Sequence, residues 1–411
     1  MKKRITYFDL AKGIGIILVV LGHMENISGE LRTWISSFHM PLFFVISGML
    51  MAAKGEISIL NGDREAGNGA IDVRELVLKA AKGLLIPYFW FSLIYIPIDI
   101  MNLYIDNVDK HTFVQNILDS ITFSGVSVMW FLPALFIAEA VALVLINTVS
   151  KISLGKNSNS KFNTEIVAKY TVLYVVALII SILAYGIWSQ MKFIYEAYSS
   201  MFGWATFLGL IRAILRGICM NVHVVTGFVM YKLIAYLEEL YVDKRTEHAN
   251  KSYIEMSKEK ERKSAKGLCL AGGVIFSVIN ISLCLKNGAV DNHFLTLNNL
   301  FLYYICAFLG SMAIVLICMG FGSVPPIEFL GKNSLIIMAT HLQCYILYAG
   351  ILIAIAIDAH VTRAKSYVYM FNSVLFTMLI EVVIILIINN YFSFITGKGS
   401  IKDLFRRSKE K

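Results

Sequence analysis

The sequence predicts an all-α, polytopic membrane helical bundle of about ten transmembrane helices, with both termini on the cytoplasmic side. Three observations carry that expectation. Hydrophobic residues fill 57% of the 411 positions against 16% charged, and mean hydropathy is +0.67. Apolar runs of about 20 residues, the length that crosses a bilayer, recur along the whole chain. Lys and Arg gather in alternate loops, as the positive-inside bias requires. Lipid offers no partner for backbone N–H and C=O groups, so runs this solid must be helical, whereas a β-barrel would show short alternating strands.

The runs fall at 8–26, 35–53, 83–104, 127–149, 168–188, 222–241, 267–285, 299–321, 333–357 and 368–392. The first follows Lys2, Lys3 and Arg4 like a signal peptide, but no small-x-small cleavage site follows Gly22, so it is expected to stay as an anchor. The second returns after a short loop. Before the third, residues 54–83 begin Gly- and Asn-rich and turn amphipathic. The fourth opens with "MWFLPALF", where Trp130 reads as an interfacial anchor and Pro133 as a helix-start proline. Between the fifth and sixth, the outer stretch 189–221 contains "GWATFLGLIRAILRGICM", with Arg212 and Arg216 one helical turn apart. A crossing there would put every later loop on the wrong side for the charge bias, so it is expected to be an interfacial or re-entrant helix on the outer face. Residues 243–267, ahead of the seventh run, form a solvated cytoplasmic charge run, flexible or helical. The ninth follows "GKNSL", and after the tenth comes a basic cytoplasmic tail, 398–411. Residues 1–411 are read as a single integral-membrane domain.

The net charge of +9 does not indicate nucleic acid, because the cations sort by side of the membrane rather than forming one patch. The outer side has Arg32, Lys110, Lys192, Arg212, Arg216, Lys286, Arg363 and Lys365; the other loop cations are inside. Six cysteines lie in or beside apolar runs with no Cys-x-x-Cys pair or metal spacing, so they read as small core residues and no metal is expected.

Polar residues inside the runs are the candidates for chemistry. Lys12 and His23 are eleven residues apart, three helical turns plus about 20°, which puts them on one face about 16 Å apart along the axis. Asp9, one turn before Lys12, can pair with it and suits the positive end of the helix. A snorkelling lysine and an interfacial histidine would also account for the pair. The second run, however, places His39 at a depth similar to His23, so two imidazoles share one level on adjacent antiparallel helices. Imidazole is the side chain suited to moving protons near neutral pH. Glu139 and Glu381 fall mid-span, and His341 lies about nine residues into the ninth run. Each also suits a structural interhelical hydrogen bond.

Four segments, "FDLAKGIGIILVVLGH", "FHMPLFFVISG", "WFLPALF" and "GKNSL" with its later histidine, together resemble the acyltransferase-3 family of integral-membrane acyltransferases, in particular its fucose 4-O-acetylase-like acetyltransferase branch. The resemblance implies about ten helices and transfer of an acyl group, usually acetyl, from cytoplasmic acetyl-CoA to a hydroxyl of a cell-envelope or extracellular glycan, at the plasma membrane. It implies His23 as the essential catalytic residue and Lys12 at the position of the essential basic one. Many members have Arg there, and an Arg pair where this chain has Lys79 and Lys82; Lys keeps the charge but not the bidentate geometry.

The expected donor-binding residues are therefore Lys12, Lys79 and Lys82; His23 and His39 are the catalytic candidates, with His39 orienting His23 or relaying its proton. Arg212, Arg216, His341 and Glu139 are candidates for the acceptor side, headgroup anchoring being the other reading of the two arginines. Direct transfer with His23 as general base and a covalent acetyl-His23 intermediate both fit. A secondary transporter or exporter of a glycan-related solute is the alternative class, since buried Glu and His also describe pumps. A membrane sensor docking through the basic loop is a third.

Overall fold

A computed structural model describes residues 5–24, 27–55, 73–105, 109–152, 164–243, 251–361 and 366–398, with side chains described in these segments except at 164, 236–263 and 358–367. The described residues form α1 (Thr6–Gly22), α2 (Gly29–Lys54), α3 (Val73–Ile105), α4 (Lys110–Ile121), α5 (Phe131–Ser150), α6 (Thr164–Tyr198), α7 (Phe202–Asp243), α8 (Lys251–Asn287), α9 (Leu300–Phe321), α10 (Pro325–Lys332), α11 (Ser334–Thr340), α12 (Ile346–Val361) and α13 (Ser366–Tyr391). Short 3-10 turns at Ser127–Trp130 and Ser393–Thr396 complete the order. The architecture is all-α. Eight helices, α2, α3, α5, α6, α7, α8, α9 and α13, are long and apolar enough to cross a membrane. The chain is a multi-pass membrane protein.

The two other expected spans are present in altered form. α1 has 17 residues, because His23 caps it in place of a further turn. The run 333–357 is not one helix: α11 ends at Thr340, residues 341–345 turn, and α12 starts at Ile346. Side chains of α3 brace that break. Tyr95 Oη donates to the Ala339 carbonyl at 2.5 Å, Gln343 Nε2 donates to Asp99 Oδ1 at 3.1 Å, and Tyr345 Oη donates to Asn102 Oδ1 at 2.7 Å. On the other flank Thr340 Oγ1 lies 2.8 Å from a carboxylate oxygen of the buried Glu381 on α13. Outside groups therefore satisfy the polar atoms that the interruption leaves inside the bundle.

The stretch 203–219 is also corrected. It is neither interfacial nor re-entrant but the first half of α7, a single helix of 42 residues. Arg212 and Arg216 are buried at 2% and 0% exposure, so they are interior residues of a span and not outer-face cations. Likewise α3 begins at Val73, ten residues before the expected span, and α8 begins at Lys251, inside the expected charge run. Residues 244–250 of that run, 56–72 of the 54–83 connection, 106–108 of the outer loop 105–126 and 399–411 of the tail lie outside the described residues.

α2 and α7 form the centre: 67% and 78% of their apolar windows are buried, against 17% for α8 at the periphery. Glycine makes that centre possible. A methyl group on Gly48 would strike the Val224 carbonyl oxygen of α7, and one on Gly227 would strike the Val45 carbonyl of α2. Small residues let membrane helices approach backbone to backbone, where packing drives association in lipid. α1 and α10 meet in the same way: a methyl on Gly13 would strike Ile327, and one on Gly331 the Asp9 carbonyl. The first contact holds the helix of His39 and the second the helix that carries Lys12 and His23.

Gly227→Val, which forces branched volume between two backbones, is expected to cost about 1–3 kcal/mol. Thermal melting of the detergent-solubilised protein should show a lower Tm, and an unchanged Tm would mean that the α2–α7 approach is not close.

Candidate active site

Two cavities lie end to end inside the bundle. The first, about 540 Å³, is lined by Lys12 of α1, Lys54 at the end of α2, Lys79 of α3, Lys332 of α10 and Lys398 beyond α13. The charge pattern assigns Lys54, Lys79, Lys332 and Lys398 to one side, and Lys12 lies in the N-terminal half of α1 toward that side. Below them the walls turn apolar, with Ile16, Phe43, Leu132 and Ile336 among the lining residues. Lys12 Nζ pairs with Asp9 Oδ1 at 3.0 Å, and the Asp9 side chain is almost fully buried. Lys79 pairs with Glu75 at 3.3 Å near the surface. Lys82 is exposed and does not line this cavity. Glu139 does line it, with Ser47 Oγ donating to its carboxylate; it stands on the lysine side, not with the histidines.

The second cavity, about 410 Å³, is lined by His23, His39, Arg32, Trp130, Asn292 and His293 among others. His23 Nδ1 donates to the Val19 carbonyl at 2.8 Å and His39 Nδ1 to the Ile35 carbonyl at 2.7 Å. A carbonyl only accepts, so Nδ1 carries the proton in both rings and Nε2 keeps its lone pair. His341 repeats the pattern, Nδ1 donating to the Ile337 carbonyl at 2.8 Å. That leaves its Nε2 as an acceptor 3.4 Å from His23 Nδ1, with ring centroids 5.1 Å apart. The break between α11 and α12 thus puts a fully buried imidazole directly behind His23. Sequence reasoning paired His23 with His39; the ring in contact with His23 is His341, while His39 shares its cavity.

The cavities have Val19, Met40 and Met338 in common. Val19 lies four residues before His23, Met40 next to His39 and Met338 three before His341. The three form an apolar wall common to both cavities, Val19 and Met338 about one helical turn from their imidazoles and Met40 one residue from His39.

The far wall comes from two loops. Residues 123–127 are tightly wound, with Phe123, Gly125 and Ser127 at φ 61°, 77° and 53°, and they turn the chain so that Trp130 enters the cavity wall. Between α8 and α9, the Asp291 carboxylate accepts from His293 N–H at 2.7 Å and Phe294 N–H at 3.2 Å, and Tyr303 Oη donates to Asn292 Oδ1 at 2.6 Å. The His293 ring stacks on Trp130, with centroids 5.5 Å apart and planes at 7°. Burial, then Arg216 and Arg212, hold its pKa well below the ordinary histidine range. It is neutral, and its Nε2 has no hydrogen-bond partner among the described residues.

Arg216 joins the two loops. It donates to the His293 carbonyl at 3.0 Å and the Ser124 carbonyl at 3.0 Å, and its guanidinium lies 4.9 Å from the Trp130 ring centroid. Arg212 is enclosed by aromatics, 4.8 Å from the Tyr195 ring centroid and 4.6 Å from that of Phe294. Neither arginine lines the cavities. They stand behind the wall as braces of the loops that carry Trp130 and His293. Sequence reasoning overlooked Arg32, Asn292 and His293 as cavity residues, and Lys54, Lys332 and Lys398 as members of the lysine cluster. The run "VDNHF", polar residues clustered at the outer end of a hairpin, is the signal that could have drawn attention to the loop.

The bundle thus holds a lysine-lined cavity and a histidine-lined cavity whose common wall is apolar. The acyltransferase domain family, acyltransferase-3, matches residues 5–396. The chain belongs to that family. It is also similar to nodulation protein NolL of Sinorhizobium fredii strain NGR234, 41% identical over 98 residues. That match covers 21% of this chain and 23% of the relative.

Replacing His341 with Phe keeps the ring volume but removes the acceptor facing His23. Acyl-transfer rate is expected to fall about tenfold, the equivalent of about 1.4 kcal/mol, with donor affinity unchanged, whereas His39→Phe should cost less. Steady-state kinetics of the purified variants decide the order, and the reverse ranking would return His39 to the place beside His23.

Proposed function

We propose that the protein transfers an acetyl group from acetyl-CoA to a hydroxyl of a cell-envelope glycan across the plasma membrane. One observation carries the reading: the lysine cavity and the histidine cavity share a wall of Val19, Met40 and Met338, and Val19 lies one helical turn from His23. The nucleotide of CoA is too polar for lipid and suits the lysine mouth, where Lys12 and Lys79 attract its phosphates together with Lys54, Lys332 and Lys398. Its pantetheine arm is thin and amphipathic and suits the apolar throat. The positive-inside bias puts this mouth in the cytoplasm. The histidine chamber then opens to the other side, where the sugar waits.

In this reading His23 Nε2 removes the proton of the acceptor hydroxyl as its oxygen attacks the thioester carbonyl. The C–S bond breaks, and His23 returns the proton to the departing thiolate. The Val19 carbonyl and His341 keep the Nδ1–H tautomer throughout. His39, His293 and Asn292 face the same chamber and offer hydrogen bonds to sugar hydroxyls. Arg212 and Arg216 act on the acceptor indirectly, through the loops they hold.

Mass spectrometry of envelope glycans from cells with and without the gene tests the reaction; the expected difference is one acetyl group per modified sugar, and identical glycans would overturn it. For the donor site, Lys12→Ala should weaken acetyl-CoA binding at least tenfold while Lys12→Arg retains it. Unchanged affinity in Lys12→Ala would leave the lysine a headgroup anchor. A cysteine introduced at position 255 should label in intact cells only after permeabilisation; labelling from outside would invert the orientation.

A further inference from the structure

We propose that Val19, Met40 and Met338 are an acyl-selecting gate that restricts the donor to short, unbranched, uncharged acyl groups. The inference rests on the donor reading above. It starts from the three residues being the common wall of both cavities and from their burial, 3%, 8% and 6% exposure respectively, although each borders open space on two sides.

Their tethering makes the neck a defined aperture. The Val19 carbonyl accepts from His23, the Met338 carbonyl accepts from His341 at 3.0 Å, and Met40 follows His39 in the chain. Each gate residue therefore keeps a set height relative to an imidazole, and in this proposal the thioester carbonyl reaches His23 from the lysine side by passing between these side chains. Methionine is flexible and unbranched, so Met40 and Met338 can part around a thin arm and close again, while β-branched Val19 is stiff and forms the fixed side.

Chemistry then limits what passes. The aperture has three apolar side chains, so a carboxylate-bearing acyl group would have to shed its water with no counter-charge supplied by the gate, a heavy cost for a buried charge. A branched acyl group has a wider section than the arm that carries it and must displace both methionines at once. An acetyl group meets neither obstacle. A closed neck also keeps water and acceptor away from the lysine cavity while no donor is in place.

The test uses the full-length protein in lipid nanodiscs, with acetyl-, isobutyryl- and succinyl-CoA competing against labelled acetyl-CoA. The wild type should bind acetyl-CoA at least tenfold more tightly than either competitor, within the range that an apolar pocket achieves for small differences in size. Met40→Ala and Met338→Ala should bring isobutyryl-CoA to within about threefold of acetyl-CoA while succinyl-CoA stays excluded. Val19→Ile, which narrows the fixed side, should widen the gap. These ratios are read on the protein that binds, so lower yield of a variant does not affect them, and should the alanine variants fail to accumulate, Val19→Ile alone decides. Equal wild-type affinity for acetyl- and isobutyryl-CoA, or a ratio that no accumulating variant moves, overturns the gate and leaves the donor site standing. No acetyl-CoA binding by the wild type overturns the donor reading and the gate together.

Discussion

Everything in the candidate site depends on one repeated hydrogen bond, the imidazole Nδ1–H donated back to a carbonyl one turn earlier on the same helix. His23, His39 and His341 all make it, at 2.8, 2.7 and 2.8 Å. The bond sets the tautomer, so that the basic lone pair is on Nε2. It also folds each ring back toward its helix N-terminus, the direction in which helical side chains already lean. For His23 that direction is toward Val19 and the lysine cavity. The ring is thus fixed by its Nδ1–H, which leaves Nε2 on the other side of the imidazole in a set direction, the preorganisation that transfer chemistry needs.

A ring held this firmly is useful only if its helix is held too. Gly13 of α1 against α10 and Gly331 of α10 against α1 remove the space in which α1 could slide. The same α10 leads through Lys332 and Asn333 into α11 and so to His341. One backbone-to-backbone contact therefore positions the lysine mouth and both members of the histidine pair. The outer wall has its own brace in Arg216, whose donors join two loops that would otherwise be independent. Buried arginine is costly in an apolar interior, and here carbonyls and an aromatic face offset that cost.

Much of this was legible in the residues. The spans, the all-α class and the common face of Lys12 and His23 follow from hydropathy and helical pitch, which are local properties. What pitch cannot reveal is which helix stands beside which. His341 was visible as a polar residue in a span, but its contact with His23 depends on a break in the ninth run, and "LIIMATHLQCYIL" is apolar on both sides of the break. The groups that stabilise the interruption, Tyr95, Asp99 and Asn102, lie more than 200 residues earlier, at separations of 243 to 244. Arg212 and Arg216 misled for the same reason. Two cations in an apolar stretch suggest an interface until the aromatic rings and carbonyls that surround them are known.

The central claim is that His23 Nε2 is the base at the meeting point of two chambers. It is tested most directly by supplying labelled acetyl-CoA to the lysine side of vesicles that hold the wild-type or His23→Ala protein, and measuring acetyl transfer to envelope glycan beside acetyl-CoA affinity. Transfer should fall by about 10²–10⁴ on loss of the base, with affinity and Tm close to wild type. Transfer at near wild-type rate by His23→Ala would contradict the account.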